Sequence, residues 1–325
     1  MKVRHLLDGV HDPLRIVFRQ AFQILQGCGF VDHFHDHNIA YSEQHVNRYW
    51  RIYGYPMNEI SHRLANLRKL GCRPAEIRPG QPMLSVVRGF LARQAPARLI
   101  RTSIDPAPLL LGNDVLGDCT SAGIGNHARA TAALNRFQVD VTTAQAEAFY
   151  SLSTGYVPGD PRTDNGGIEV DVLTTAQRSG YAVTNQTLFP IWGSADPGDE
   201  NGLRNIMAEL SAVYLGVRLA KADMWQDETG ALPPVWDTDT PAGHGDPTPG
   251  SAGGHCLLGW DYTGTDDTDV VTLLTWGTKQ RATWRWLRSR IMEAHGLAWR
   301  QLIPATGNVW EALIAANDAY LRGAA

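Results

Sequence analysis

Cysteine is scarce in this chain. Four residues, Cys28, Cys72, Cys119 and Cys256, are scattered over 325 positions. That excludes the dense disulfide framework that holds small secreted domains together, and it points to synthesis in a reducing compartment. No apolar run approaches the ~20 residues needed to span a bilayer. A secretory leader is not expected either, because Arg15 and Arg19 interrupt the only apolar stretch near the N-terminus. Internal repeats are absent, which argues against a solenoid or propeller. What is present is the composition of a folded protein: 43% hydrophobic and 19% charged residues.

Charge is divided unevenly. Residues 1–106 hold 15 Lys+Arg against 8 Asp+Glu, whereas the remainder holds 14 against 25. Such a split suggests two units with different partners. The proline-rich stretch from Ala95 to Pro108 breaks helical periodicity and marks the expected boundary. This divides the chain into a mainly helical domain over 1–95, a linker over 96–107, a mixed domain over 108–305 and a C-terminal helix over 306–325.

The apolar pattern predicts helices in the first unit from Asp12-Pro13, from Ser42 to about Tyr53, and from Asn58 to Leu70. In the second unit it predicts helices over Cys119–Phe137, Thr142–Tyr150, Val170–Arg178 and Leu203–Leu210. Strands are expected over Ala212–Val217, His255–Tyr262, Val270–Trp276 and Leu297–Ile303, and a last amphipathic helix over Val309–Leu321. Helices first and strands later indicate an α+β domain, not a doubly wound sheet. The Pro/Gly/Asp-rich stretch from Asp237 to Gly254 is long for a structureless loop and reads as a functional lid.

Two short motifs carry chemistry. Gly117-Asp118-Cys119 leads into a helix rich in small residues, and Gly253-Gly254-His255 opens a strand 136 residues later. A thiol is a weak nucleophile until a neighbouring imidazole takes its proton. Cys119 at a helix N-terminus would also gain from the partial positive charge there, with Asp118 as the expected cap. The spacing falls within the ~130–150 residues stated for the Cys and His of papain.

The segment Asn113-Asp114-Val115-Leu116-Gly117-Asp118-Cys119 resembles the nucleophile block of the papain-like cysteine peptidases. Asn113 stands six residues before the Cys, where that family places an oxyanion-hole amide, usually Gln. Asp164-Asn165-Gly166-Gly167 resembles the family's Gly-Gly segment, which pairs with an extended substrate backbone. The block from Gly253 to Tyr262 resembles its His-bearing strand, and Thr275-Trp276-Gly277-Thr278 the block with the third catalytic residue and its covering Trp. The likeness spans about 108 to 305, and similar Gly-Asp-Cys and Thr-Trp-Gly blocks recur in uncharacterised papain-like proteins of bacteriophages and prophages. It implies a papain-like domain of helical subdomain plus antiparallel sheet, with Cys119, His255 and Asn113 catalytic. Gly166, Gly167 and Trp276 would line the substrate, which would be a peptide or protein, and no cofactor is implied. It implies a soluble protein of the bacterial cytoplasm or a virion, with phage structural proteins among its partners and no membrane partner.

The chain departs from the family in three places. Leu274 stands where the family has the Asn that orients the imidazole, leaving Thr275, Thr272 or Asp261 as substitutes. Thr120 replaces an aromatic residue after the nucleophile, and the family's disulfide cysteines are missing. Cys256 alternates with His255 and is read as a small core residue. These departures keep a catalytically idle structural or adaptor protein in view, and a cell-wall amidase is a further variant of the enzyme reading. The cluster Asp32-His33-Phe34-His35-Asp36-His37 offers His33, His35 and His37 as metal ligands, weighed against a solvated loop. Asn47–Gly71 resembles a helix–turn–helix, with Asn58, Ser61, His62, Arg63, Asn66 and Lys69 outward. With the basic charge it makes nucleic acid a second alternative. A third role for residues 1–95 is to cover the cleft, as helical prosegments of papain-like enzymes do.

Overall fold

A computed structural model describes residues 68–302 and 310–323, apart from positions 88 and 91. The helices expected up to residue 67, the helix–turn–helix reading and the His33–His37 cluster lie outside the described residues. Residues 68–70, expected to end a helix, carry none. One compact unit comprises residues 68–227 and 232–325, so it begins inside the stretch assigned to a separate N-terminal domain. The other unit, residues 1–67 with 228–231, is almost wholly outside the described residues.

Helices come first within the main unit. Helix α1 (Cys119–Asn135) is built on small residues, and their size sets how closely it lies on the sheet. A Cβ on Gly123 would stand 2.9 Å from the Tyr214 ring, and one on Gly125 2.7 Å from the Tyr181 hydroxyl. Helix α2 (Thr143–Thr154) starts from a Thr142–Gln145 capping box, and α3 (Glu169–Ser179) places two acids in its first turn. A short hairpin, β1 (Tyr181–Val183) and β2 (Gln186–Leu188), then precedes β3 (Pro190–Ala195), α4 (Glu200–Glu209) and β4 (Val213–Leu219). The remainder is β5 (Val235–Trp236), β6 (Gly253–Tyr262), β7 (Val270–Thr275), β8 (Thr278–Thr283), α5 (Trp284–Arg290), β9 (Ile291–Trp299) and α6 (Glu311–Gly323).

Seven strands form one sheet in the order β3-β9-β4-β6-β7-β8-β5, antiparallel except for the β5–β8 edge. Both faces are covered. Tyr214, Cys256 and Leu258 join the core beneath α1 and α3, while Val213, Leu215 and Leu257 join a second core with α4. This is why β4 reads as a nearly continuous apolar run, since a strand buried on both sides has no polar alternation. The α+β class and the order of elements follow the sequence reading. The expected strand over 297–303 instead begins at Ile291 and ends at Trp299.

Residues 68–107 are laid against this unit and not separated from it. Leu84 is fully buried, with Val87 and Phe90, in the second core. Leu99 pairs with Tyr262. Arg101 sends its guanidinium to the carbonyls of Ser211, Trp260 and Met207 and stacks over Trp260 at 4.5 Å. The loop after β5, read as a lid, is tied down. Asp237 accepts two bonds from Arg285 at 2.6 and 2.7 Å, Arg290 donates to Pro247 O, and His244 stacks on Trp225 at 3.9 Å.

Candidate active site

Cys119 is the first residue of α1, and its sulfur accepts a hydrogen bond from the Cys256 N–H at 3.4 Å. The helix therefore delivers the thiol to β6 at the residue next to His255. Asp118 precedes it but makes no side-chain cap, contrary to expectation; both carboxylate oxygens are buried without hydrogen-bond partners. Burial, aided by Glu147 and Asp164, pushes the Asp118 carboxyl well above the usual carboxylate range.

His255 is 1% exposed. Its Nε2 lies 2.6 Å from Thr275 Oγ1, so of Thr275, Thr272 and Asp261 it is Thr275 that reaches the imidazole, and Leu274 is a core residue. Trp276 covers the imidazole, stacked at 4.0 Å with 14° between the planes. A tight hairpin sets that position: Thr275 pairs with Thr278, and Trp276 and Gly277 both take positive φ, 42° and 72°. Two positive φ values define the turn that matches strand twist, and for a Trp this backbone costs of order 1–3 kcal/mol. The other ring nitrogen, Nδ1, is buried with no hydrogen-bond partner.

The groove beside Cys119 is filled by the chain itself. Residues 69–73 cross it in extended form. Gly167 N–H donates to Gly71 O at 2.8 Å and Arg73 N–H to Gly167 O at 2.9 Å, a parallel bridge centred on Cys72. From the other wall, Gly254 O accepts from Cys72 N–H at 3.1 Å. The Gly71 amide is near enough to Cys119 to favour its thiolate slightly. Asn113 Nδ2 donates to Lys69 O at 3.2 Å and to Leu116 O at 3.0 Å, and Trp276 Nε1 also donates to Lys69 O. Asn113, Gly166, Gly167 and Trp276 thus meet around one short peptide segment, with His255 stacked on Trp276.

Only glycine fits at the tightest point. A Cβ on Gly71 would lie 1.8 Å from Gly117 O, and one on Gly166, where φ is +72°, would lie 2.0 Å from Gly71 O. The Gly-Gly wall is held in place by Asp164 and Tyr150. Asp164 Oδ1 accepts from Gly117 N–H at 2.9 Å and from the Tyr150 hydroxyl at 2.7 Å, and that hydroxyl accepts from Gly166 N–H. Asp164 was within a quoted motif, whereas nothing in the sequence marked Tyr150.

Covering the groove sets the electrostatics. Burial pushes the Cys119 thiol far above its ordinary value, outweighing the Cys256 N–H and the helix terminus that would favour a thiolate. Burial also lowers His255 to about 3. Both partners are neutral in this covered form. Directly below the segment, Cys72 Sγ donates to Glu169 Oε1 at 3.7 Å, beside Glu293 and His295. Burial and the adjacent Glu293 raise the Glu169 carboxyl. None of these last four residues was singled out from the sequence as part of a site.

No protein-family model matches the chain, and no curated protein matches it. Among solved structures, it is similar to xylellain, a cysteine protease from Xylella fastidiosa, at 11% identity and a TM-score of 0.50, covering 71% of this chain and 96% of that one. It also matches procathepsin B from Trypanosoma congolense (10% identity, TM-score 0.45, 80% and 99% covered). A third match is procathepsin L2 from the Tenebrio molitor larval midgut (13% identity, TM-score 0.45, 79% and 88% covered). With xylellain, this chain shares the α+β fold of a papain-like cysteine protease.

Proposed function

We propose that this chain is a cysteine peptidase or amidase. One observation carries the reading: residues 69–73 lie bridged between Gly167 and Gly254, beside Cys119. The groove holds a peptide backbone, and the reactive group is beneath it.

In the reaction, an extended substrate replaces residues 69–73. His255 Nε2 carries its proton toward Thr275 Oγ1, leaving the unpartnered Nδ1 to accept the thiol proton. The sulfur bonds to the substrate carbonyl carbon. Asn113 Nδ2 and the Cys119 N–H donate to the resulting oxyanion, each worth roughly 3 kcal/mol. The carbon–nitrogen bond breaks, the amine leaves with the proton from His255, and water then releases the acyl group from the sulfur. Phage or prophage biology rests on the Gly-Asp-Cys and Thr-Trp-Gly blocks alone; cleavage of a co-expressed phage structural protein would test it.

The test is a thiol-reactive acyl-mimic probe. Labelling of the wild type that disappears in Cys119→Ala supports the enzyme. Equal, sluggish labelling of all four cysteines overturns it in favour of a second reading, a papain-like scaffold without turnover. The burial of Cys119 and His255 under the chain's own segment is what favours that alternative.

A further inference from the structure

A second cluster lies against the cleft segment, around Cys72. Cys72 Sγ and one oxygen each from Glu169 and Glu293 all lie within 4.8 Å of one another. His295 Nε2 is 3.2 Å from Glu293 Oε2 and 3.5 Å from Glu169 Oε2. All four residues are buried, at 6%, 0%, 7% and 1% exposure for Cys72, Glu169, Glu293 and His295. Glu169 Oε2, despite its approach to the imidazole, and Glu293 Oε1 make no hydrogen bond. Among the described residues, neither carboxylate has a Lys or Arg ion-pair partner. Two such groups ionised side by side in a dry interior are costly, and a shared cation is one way to hold both charges there.

We propose that Cys72, Glu169, Glu293 and His295 bind one zinc-class divalent cation, which fastens the cleft segment to the body of the domain. The donor set selects the metal. One thiol, one imidazole and two carboxylates suit four-coordinate zinc, whereas calcium and magnesium take oxygen donors. The imidazole is already aimed. Ser194 Oγ sits 3.0 Å from Nδ1 and is itself held by Gln81 Nε2 at 2.8 Å, so Nε2 is turned to the carboxylates. An outer hydrogen bond of this kind fixes the orientation of a ligating histidine. Gly216 on β4 leaves the space: a Cβ there would stand 2.8 Å from Glu293 Cγ and 3.3 Å from the Glu169 carboxyl carbon. On binding, the Cys72 thiol gives up its proton to solvent and its sulfur bonds the metal.

Three ligands come from α3 and β9, and the fourth comes from the segment over Cys119. The ion therefore joins the segment to the domain whether or not the domain turns over substrate, and the proposal does not depend on the peptidase reading. Metal binding is read directly, so its failure and the failure of that reading are distinguishable.

The experiment uses the full chain with His33, His35 and His37 changed to Ala, which removes the competing histidine cluster. The protein is stripped with a chelator and titrated with zinc chloride against a chromophoric chelator, and separately with cobalt chloride. The expected result is one ion per chain and a cobalt spectrum with a strong thiolate charge-transfer band. That band disappears in Cys72→Ser, and zinc affinity falls at least about 10–100-fold in Glu293→Gln. Absence of tight zinc binding, a cobalt spectrum with no thiolate band, or zinc affinity unchanged in both variants overturns the proposal. Should Cys72→Ser fail to fold, the cobalt spectrum of the unsubstituted site decides alone.

Discussion

His255 and His295 stand two strands apart in one sheet, each about 1% exposed, in opposite surroundings. His255 faces a neutral hydroxyl and an indole, with one nitrogen unpartnered. His295 faces two carboxylates and has a hydroxyl behind it. The first arrangement suits a proton that moves, since neither protonation state is locked by a counter-charge. The second holds the ring in place between two acids and a hydroxyl. Residue 72 and its neighbours lie between them, with the Gly71 amide on the thiol and the Cys72 sulfur on the acids.

Cys119→Ala separates the two regions most sharply. It is expected to abolish probe labelling and any peptidase turnover, by more than about 10³-fold, while leaving zinc binding intact. Loss of the metal together with the activity would mean that the two regions are one.

Gly71→Leu attacks the segment they share. With a Cβ position 1.8 Å from Gly117 O, the side chain cannot be accommodated, and the segment must lift away. Alkylation of Cys119 by iodoacetamide, followed by intact mass, should accelerate at least 10-fold, scaling with the open fraction. An unchanged rate would show that the segment does not shield the thiol.

Acid stability probes the neutral imidazole. The unfolded chain protonates a histidine near ~6.5, but burial holds His255 to about 3 and His127 to about 4. The unfolded state therefore binds more protons, and the stability from a neutral His255 is complete above about pH 6.5 and declines as pH falls toward 3. The urea-unfolding difference between wild type and His255→Gln should shrink by about 2 kcal/mol from pH 7 to pH 4.5. Taking the difference cancels the buried acids Asp118 and Glu169, whose raised values act with the opposite sign.

The last effect concerns orientation. Thr275→Val removes the hydroxyl beside Nε2 and should lower turnover roughly 10- to 100-fold with KM nearly unchanged, whereas Thr275→Ser should restore most of it. Equal losses in both variants would assign Thr275 a packing role.

The comparison also explains what the sequence could reveal. Cys119, His255, Asn113 and Gly166-Gly167 sit in compact motifs because each role depends on a local backbone shape: a helix start, a strand start or a glycine bridge. The imidazole's partner was legible only to within Thr275, Thr272 or Asp261, since register decides which residue faces the ring. The acid cluster was not legible, because its donors come from positions 72, 169, 293 and 295 and meet only once β9 lies against β4. Strand β8 went unread because its alternating burial starts inside the Thr-Trp-Gly motif, where the hairpin turn carries the tryptophan.

Leu84, fully buried between Gly193 and Gly296, fixes the chain just beyond the cleft segment. Residues 74–83 between them would reach roughly 35 Å at full stretch, and they are pinned on the way by Arg78 on Asp171 and Gln81 on Ser194. A segment that lifts from the groove cannot diffuse away, and on such a leash it competes with incoming peptide at a millimolar-scale local concentration. Opening is therefore reversible on every cycle unless the leash is cut. Ile77 on this leash is 88% exposed, so a protease nick there would turn a repeated competition into a permanent release.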